Sequence, residues 1–351
     1  MASWTVRIQR ALAAAPLLLI TAWCFYYMDL ETLIAFQEPF DKSGVIEWEG
    51  GKFTIIKHFY NIDIFDDTWR GSMATFSTST FGYDAIASWQ MFSFLIDLGP
   101  VYAIWILESY RAGIAYTPMY LPTVFTFAGQ FLGLGFVAPI FYFLLFAFGP
   151  TASDLARSSA QNRTVWNRGR GFLLPVIFLL HTAEVFAMSL APELETRHYW
   201  TWAWQLTPLW IGIGNVVLTG LTKPLLPKST IFTSPKLLLA IMGAISAGTW
   251  IHTLLFSPYP ISTIFVPVLD EQQDFVPFVR RVFQVDHVAV FSSSLLWLLY
   301  SFVDLGNAGL LGMEWFYNVA LLPVIAVSAG PGAAVTYGWY LREQALASRD
   351  G

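Results

Sequence analysis

Long tracts without lysine or arginine set the strongest limit on how this chain can fold. Each tract can hold at least one apolar segment of the roughly 20 residues that cross a bilayer. Only 12% of the chain is charged and 56% is hydrophobic, whereas a soluble domain carries about 25% charged residues. The sequence therefore predicts an integral membrane protein and excludes a water-soluble enzyme. The tracts are 71–110, 112–156, 171–196, 198–222, 237–279 and 282–341.

Hydropathy predicts an all-α membrane protein, a polytopic bundle of about eight transmembrane helices in a single membrane domain, 1–351. Arg7 and Arg10 precede the first apolar run, which we interpret as a retained helix rather than a cleaved signal peptide. Residues 29–87 are predicted to form a long acidic extramembrane loop, in which 52–64 suits a short strand or an interfacial amphipathic piece. No internal repeat is visible. The predicted spans are 11–28, 88–107, 120–148, 171–190, 201–221, 237–256, 288–303 and 315–341.

The positions of the basic residues do not decide which side of the membrane each loop faces. Asn162-Arg163-Thr164 is a possible N-glycosylation sequon, usable only if its loop is lumenal. The arginines around it favour the cytoplasmic side instead. The expected location is a multi-pass one, with the endoplasmic reticulum as the membrane. A net charge of −5 offers no basic stripe for a phosphate backbone, so nucleic acid is not an expected partner.

Few ionisable groups lie inside the predicted spans, and each needs a partner or a function because burying it in lipid is costly. Asp97 lies in the second span, Glu184 in the fourth, and Asp304 ends the seventh. His181 precedes Glu184 by three residues, so the two can touch on a helix. Asp97 and Glu108 are eleven residues apart, which points both carboxyls to one side of the bundle.

Further polar groups complete the candidate set. Glu108 and Arg111 fall on one helical face if the second helix continues, and can form an ion pair. Gln130, Asn215 and Asn318 add neutral polar groups at membrane depth. Together with the ionisable residues, they predict a bundle with a polar interior cavity.

Asp97 is the group that is hardest to explain by packing alone. It lies within Phe94-Leu95-Ile96-Asp97-Leu98, without a cation near it in the sequence. Desolvation penalises the charged form of such a carboxyl, so it can keep its proton and act as a general acid. The other candidates also have structural explanations, as a surface ion pair, an interhelical hydrogen bond or a helix cap. Aromatic residues, 17% of the chain, can stabilise a developing cation.

Several membrane chemistries lack their residues in this sequence. No Asp-x-x-x-Asp pair for a magnesium diphosphate lies beside a span, the five histidines are scattered singly, and no late span contains a lysine for a retinal Schiff base. The single cysteine, Cys24, excludes a disulfide framework and a Cys-based zinc site. No cofactor is expected. Metal-free proton chemistry and transport remain.

Four short segments, together with the length, span count and layout of the chain, carry a family resemblance. They are Leu107-Glu108-Ser109-Tyr110-Arg111, Pro122-Thr123-Val124-Phe125, Gly129-Gln130-Phe131-Leu132-Gly133-Leu134-Gly135 and Ala138-Pro139-Ile140-Phe141-Tyr142. In these features the chain resembles the membrane-bound fungal meroterpenoid cyclases of the ascofuranone and macrophorin type. The resemblance implies a metal-independent terpene cyclase of fungal secondary metabolism, acting on a farnesylated, polyketide-derived substrate.

In that family, the resemblance implies, a carboxylic acid starts ring formation by protonating a terminal olefin or by opening a terminal epoxide. Glu108 is the acid in the best-matching segment, whereas Asp97 and Glu184 follow from the residues alone. These three are the candidate catalytic residues. The candidates for substrate binding or polar support are Arg111, His181, Gln130, Asn215 and Asp304.

Two other function classes remain open. A proton-coupled transporter of a small lipophilic metabolite would use Asp97 and Glu184 to relay protons. A scaffold or receptor without catalytic activity would tolerate neutralising all of the candidate acids. The sequence alone does not separate these classes from the cyclase.

Overall fold

The computed structural model describes residues 3–115, 117–166, 172–222 and 234–348. These ranges are mostly helical, with one antiparallel β-hairpin of β1 (Val45–Trp48) and β2 (Gly51–Thr54). A π-helical turn, Phe178–Thr182, joins α10 to α11. The helices are α1 (Trp4–Ala13), α2 (Ala15–Met28), α3 (Leu30–Ser43), α4 (Asp63–Thr80), α5 (Ala85–Ser109), α6 (Pro122–Leu132), α7 (Leu134–Phe148), α8 (Ala152–Arg157), α9 (Ala160–Arg163), α10 (Leu173–Ile177), α11 (Ala183–Leu190), α12 (Leu194–Gln205), α13 (Thr207–Thr222), α14 (Pro235–Phe256), α15 (Ile261–Phe265), α16 (Phe275–Asn307), α17 (Trp315–Ala329) and α18 (Pro331–Ala347).

Among the described residues, five helical stretches are long and apolar enough to cross a membrane. This agrees with an all-α membrane protein, while the predicted count of eight spans is not confirmed. The endoplasmic reticulum as the compartment stays a prediction, and so does the division into domains. Gly171, the first residue of the predicted fourth span, lies outside the described residues. The stretches are Ala15–Ser43, Ala85–Ser109, Leu173–Leu190, Pro235–Phe256 and Phe275–Asn307.

The long helices α5 and α16 run in the same direction and define two ends of the bundle. At the β end, Asp84, just before α5, pairs with Arg280 near the start of α16 at 2.8 Å. At the terminal end, Arg10 of α1 pairs with Asp304 near the end of α16 at 2.9 Å. Helix α18 also ends there, because Arg342 pairs with a residue of the last turn of α5. Both described ends of the chain therefore lie at the terminal end.

The predicted third span, 120–148, is a pair of helices that fold back on each other. Helices α6 and α7 are separated by Gly133, whose φ of +80° favours glycine. Phe125 and Phe141 lie equally far before and after Gly133, and their ring centroids are 5.2 Å apart. Hydropathy registers an apolar run but not its direction, so the run resembles one long tilted helix in the sequence.

The predicted eighth span, 315–341, has the same form. Helices α17 and α18 are separated by Gly330, with a φ of +97°. A Cβ on Gly338 would lie 3.2 Å from the Leu322 side chain. Leu322 and Gly338 lie equally far before and after Gly330, so α17 and α18 also fold back on each other. In the sequence, Pro331 suggests a kink within one long helix. In the structure it begins α18, the return helix of this hairpin, where its missing N–H is tolerated.

The two helical hairpins occupy equivalent positions in an internal repeat. The return helix α7 packs against α2 and α16, and the return helix α18 packs against α14 and α5. Within each set the other two helices also contact each other. In the chain, α5 precedes the first hairpin and α16 precedes the second. Helix order and packing thus repeat between the two hairpins and their neighbours, although no repeat of residue identity is visible in the sequence.

The predicted extramembrane segment, 29–87, contains α3, the β-hairpin and α4. Helix α3 continues α2 after Asp29, which has left-handed backbone angles and accepts a hydrogen bond from the Thr32 N–H at 3.3 Å. Of the range 52–64, expected to suit a short strand or an interfacial amphipathic piece, residues 52–54 belong to β2, which pairs with β1. Helix α4 is largely buried and packs against α3, α5 and α12. The segment thus closes the β end of the bundle.

We expect Gly135→Ala to destabilise the protein. A Cβ there would lie 2.7 Å from the backbone oxygen of Asp286 and 2.9 Å from the Cβ of Ala289, and rigid atoms of this kind cannot move away. Overpacking of this sort costs about 1–3 kcal/mol. Thermal unfolding of detergent-solubilised protein would show a lower midpoint. Gly248→Ala is the matched control, because its Cβ meets nothing within 4 Å. An unchanged midpoint for Gly135→Ala would contradict the close packing of this hairpin tip.

Candidate active site

Helix α5 positions the candidate site at the centre of the bundle. The Asp84 side chain caps it, accepting hydrogen bonds from the N–H groups of Ile86 and Ala87 at 3.1 Å each. The apolar window of α5 is entirely buried, so its polar side chains face other helices instead of lipid. A polar group on α5 must therefore find its partner inside the protein.

Asp97 lies midway along α5 and is 0% exposed. Its Oδ1 accepts a hydrogen bond from the Ser246 hydroxyl at 2.5 Å. The backbone N–H of Gly332 also donates to this carboxyl group. The Oδ2 atom has no hydrogen-bond partner among the described residues. None of the salt bridges in the described ranges involves Asp97.

Gly332 meets Asp97 because it belongs to the first turn of α18, directly after the tip of the second hairpin. The first N–H groups of a helix have no partner within the helix, and they favour a carboxyl nearby. A Cβ on Gly332 would lie 2.6 Å from Asp97 Oδ1 and 2.7 Å from Ser246 Oγ. Only glycine lets the carboxyl approach this closely.

Asp286 has the equivalent contact in the other half of the repeat. Its carboxyl accepts a hydrogen bond from the backbone N–H of Gly135, in the first turn of α7. The sequence places Asp286 just before the predicted span 288–303, so it is not one of the sequence-predicted candidate residues. Helix α16 begins at Phe275 instead, which puts Asp286 well inside. Arg280 lies nearby, and in the sequence it suggests a span boundary. In the structure it pairs with Asp84, closer to the β end than Asp286 is.

A row of stacked rings extends from the second hairpin tip to α5. Trp250 packs against the tip, since its Cβ lies 2.9 Å from the position of a Cβ on Gly330. The ring centroids of Trp250 and Phe265 are 4.5 Å apart, and those of Phe265 and His287 are 5.2 Å apart. His287 then stacks on Phe94 at 4.9 Å. Aromatic faces of this kind can stabilise a positive charge.

Glu108 is buried in a network of charges at the terminal end. Its carboxylate accepts hydrogen bonds from Arg111 at 2.7 and 3.1 Å. Trp339 donates to it at 2.7 Å and Arg342 at 2.8 Å. Arg111 also pairs with Glu343 at 2.8 Å. Two carboxylates and two guanidinium groups thus balance each other, which suits a structural anion better than a proton donor.

Arg111 follows the end of α5, and its charge is permanent. Burial alone lowers the pKa of Arg111, but the adjacent carboxylates of Glu108 and Glu343 outweigh burial and raise it. The expected ion pair between Arg111 and Glu108 is confirmed. The expectation that Asp97 and Glu108 point to one side is also confirmed, because both carboxyls meet α18.

Asp304 and Glu108 line one cleft at the terminal end, together with Arg10, Arg342 and Trp297. Asp304 is paired with Arg10 at 2.9 Å, whose guanidinium lies 3.9 Å from the Phe146 ring centroid. Both carboxylates in this cleft are therefore neutralised by arginine. Asp304 has a structural partner and does not simply cap its helix.

Glu184 is buried near the β end and accepts a hydrogen bond from the Thr207 hydroxyl. His181, expected to touch Glu184, instead uses both ring nitrogens elsewhere. Its Nε2 lies 2.7 Å from the backbone oxygen of Leu95, and Nδ1 accepts from the Trp204 indole at 3.2 Å. The π-helical turn that contains His181 changes the angle between positions three residues apart, so the two side chains diverge.

The remaining candidates lie apart from Asp97. Asn215 donates a hydrogen bond to the Tyr110 hydroxyl. Gln130 is half-buried near the end of α6. Asn162 is exposed on α9 at the terminal end, and its glycosylation stays a prediction. Across the described ranges, no cluster of three or more His, Cys, Asp or Glu side chains could hold a metal ion.

A family model described as the CtvD domain matches residues 13–347. Three fungal proteins are similar to the chain. The FAD-dependent monooxygenase verC1 of Penicillium polonicum is 27% identical over 98% of this chain and 43% of its own length. The FAD-dependent monooxygenase anuJ of Penicillium roqueforti is 26% identical over 83% and 36%, respectively. The FAD-dependent monooxygenase BOA8 of Botryotinia fuckeliana is 24% identical over 74% and 34%.

The chain thus spans less than half the length of these relatives. No solved structure matches it. The family match and the fungal relatives are consistent with the resemblance to a fungal membrane-bound cyclase family. The names of the relatives raise the question of whether this chain has the residues to bind FAD.

The described residues do not fit an FAD site of the usual kind. Such a site places a glycine-rich turn between a strand of a parallel sheet and a helix. Here the strands in the described ranges are β1 and β2, which pair antiparallel. The Gly133-Leu134-Gly135 segment has similar glycine spacing, but it joins α6 to α7. Flavin chemistry therefore has no identified place in this part of the chain.

We expect Glu108→Gln to lower stability strongly, because it leaves two buried guanidinium groups with one carboxylate. Breaking a buried ion pair on one side costs about 3–5 kcal/mol. Thermal unfolding and the monodisperse fraction after detergent extraction would report the loss. Glu38→Gln is the control, since its pair with Lys42 is exposed and such pairs contribute about 0–1 kcal/mol. A stable Glu108→Gln protein without activity would instead identify Glu108 as the catalytic acid.

Proposed function

The chain belongs to the CtvD domain family, and on that premise we propose that it is an acid-initiated cyclase embedded in the membrane. Asp97 donates a proton to the terminal epoxide or olefin of a farnesyl-derived chain, which then closes into a ring. The substrate is an intermediate of fungal secondary metabolism. One observation carries the proposal: Asp97 is fully buried, and among the described residues it has no cation beside it and no partner for one of its oxygens.

The surroundings of the three candidate acids favour Asp97 as the donor. Glu108 is held by two arginines and an indole, and a carboxylate in that position is stabilised in its ionised form. In the part of the chain that the structure describes, Glu184 has the Thr207 hydroxyl as its one hydrogen-bond partner, which makes it the second choice. Asp97 combines burial with a free oxygen, as a proton donor in an apolar site requires.

The aromatic row supports a reaction with a positively charged intermediate. Trp250, Phe265, His287 and Phe94 follow one another from the hairpin tip to the helix that carries Asp97. Ring faces of this kind can stabilise positive charge that develops on a substrate chain next to Asp97.

The relatives favour the epoxide as the reacting group. They are FAD-dependent monooxygenases by name, and flavins support O₂ chemistry, which can convert an olefin into an epoxide. Less than half of each relative matches this chain, so the oxygenation is assigned to the other part. An epoxide also needs a weaker acid than an olefin, which suits a single carboxyl supported by Ser246.

Proton-coupled transport of a small lipophilic metabolite is the second candidate. The internal repeat and the two glycine-tipped hairpins favour it, since many transporters are built from repeats and have broken helices around polar sites. In that function Asp97 would bind and release protons as the transporter changes conformation. Product formation by purified protein separates the two functions.

We expect Asp97→Asn to abolish cyclisation with little loss of stability. The amide oxygen still accepts the bonds from Ser246 and Gly332, but the group no longer donates an acidic proton. Loss of a general acid lowers the rate about 10²–10⁴-fold. Purified protein in detergent, with EDTA present, would be given a farnesylated phenol carrying a terminal epoxide or olefin. An isomer with shifted retention in mass spectrometry measures the reaction.

Glu184→Gln is the matched control, because it neutralises another buried carboxyl with a hydroxyl partner. We expect it to keep at least a substantial part of the activity. If Asp97→Asn cyclises at the wild-type rate, the assignment of the acid is wrong. If folded wild-type protein returns both substrates unchanged, but moves them across vesicles along a pH gradient, the transporter takes the place of the cyclase.

A further inference from the structure

Three buried polar atoms without partners lie along one face of α5. They are Gln90 Oε1, Ser93 Oγ and Asp97 Oδ2, and none has a hydrogen-bond partner in the described part of the chain. All three residues are 0% exposed. Buried polar atoms are normally bonded, and exceptions call for an explanation such as an ordered water. Three unpartnered polar atoms that follow one another along one helix face indicate one shared cause.

The spacing of these residues brings the atoms into a line. Residues three and four apart on a helix are neighbours, with Cβ atoms about 5–6 Å apart. Gln90 to Ser93 and Ser93 to Asp97 are such steps, and one water can bridge polar atoms at this separation. Gln90 lies near the β end, where Ala85, the first residue of α5, is exposed. The line therefore leads from Asp97 toward the β end.

We propose that a chain of internal water molecules runs along Gln90, Ser93 and Asp97 and returns protons from the β end to the Asp97 carboxyl. This water chain deepens the proposed function and rests on it. Ser93 bridges waters on either side, and Gln90 forms the entrance. Ser93 and Gln90 are positioning residues, because they act on the reaction only through Asp97.

The internal repeat supplies a comparison within the same molecule. Asp286 on α16 is the equivalent of Asp97, and the residues at the equivalent offsets before it are Val282 and Val279. Both valines are buried, at 2% and 0% exposure. A polar approach thus exists in one half only.

The geometry of Gln90 keeps its oxygen directed away from the neighbouring backbone. Its Nε2 donates to the Phe283 backbone oxygen at 3.1 Å and lies 3.4 Å from His287 Nδ1. With the nitrogen held on α16, the amide oxygen is left for a water. Ser93 likewise makes no bond to its own helix, unlike Ser293, which donates to the Val290 backbone oxygen at 2.9 Å.

The proton balance of the reaction requires such a supply. In one turnover Asp97 loses a proton to the substrate oxygen or carbon. The substrate loses another when the attacking hydroxyl closes the ring or the final cation forms an alkene, so the reaction is a net isomerisation. The Asp97 carboxylate then takes up one proton through the water chain before the next turnover.

Infrared spectroscopy of the detergent-solubilised protein tests the chain without substrate. The protonated Asp97 carboxyl has a C=O stretching band, assigned by its absence in Asp97→Asn, and this band shifts when the proton exchanges in D₂O. We expect Ser93→Val, which copies the other half of the repeat, to slow the exchange about tenfold, as losing one buried hydrogen-bonded link predicts. Ser293→Val is the control and should exchange at the wild-type rate.

Ser93→Cys is the second variant, since it keeps the size of serine and bonds weakly to water. It should slow exchange in the same direction even if valine disturbs folding. Wild-type exchange rates in both folded Ser93 variants would overturn the water chain and leave Asp97 as the acid. A wild-type protein without an Asp97 band would overturn both the chain and the proposed acid.

Discussion

The contact between a buried aspartate and the first turn of a return helix is the interaction on which the rest of this structure depends. A helical hairpin that turns inside an apolar bundle presents N–H groups that have no partner within the helix, and each group left unsatisfied costs several kcal/mol. Asp97 meets this requirement at Gly332, and Asp286 meets it at Gly135. Each aspartate lies on the long helix of the opposite half, so these contacts also hold the two halves of the repeat together.

The equivalence of the two contacts makes their differences informative. Asp97 has a second donor in Ser246 and a free oxygen, with polar residues leading up to it on α5. Asp286 is preceded by valines on the same face of α16. A structural task common to both positions explains why each aspartate is present. It does not explain the polar surroundings of Asp97, which the proposed role as a proton donor does explain.

Some of this arrangement was predictable from the sequence, and the reasons for the rest are physical. Asp97 stood out because no cation lies near it in the chain, and that isolation is a local property. Its partners, Ser246 and Gly332, are distant in sequence and are brought near only by packing. Hydropathy located the run 120–148 but could not tell one tilted helix from a hairpin, because it measures transfer to lipid and not direction. Gly133 marks the turn of the hairpin, and its positive φ is known only from the structure.

The same bundle buries carboxyl groups in two ways, and only one of them is compatible with acid catalysis. Glu108 is surrounded by arginines whose own charges are fixed, so protonating it would leave a buried positive charge without compensation. Asp97 has only neutral donors, so its protonation changes no salt bridge. The motif that resembles a known family contains the first carboxyl, whereas the geometry suited to donating a proton surrounds the second. The Leu107 to Arg111 segment thus fixes the terminal end of α5, and the proposed reacting centre lies deeper along the same helix.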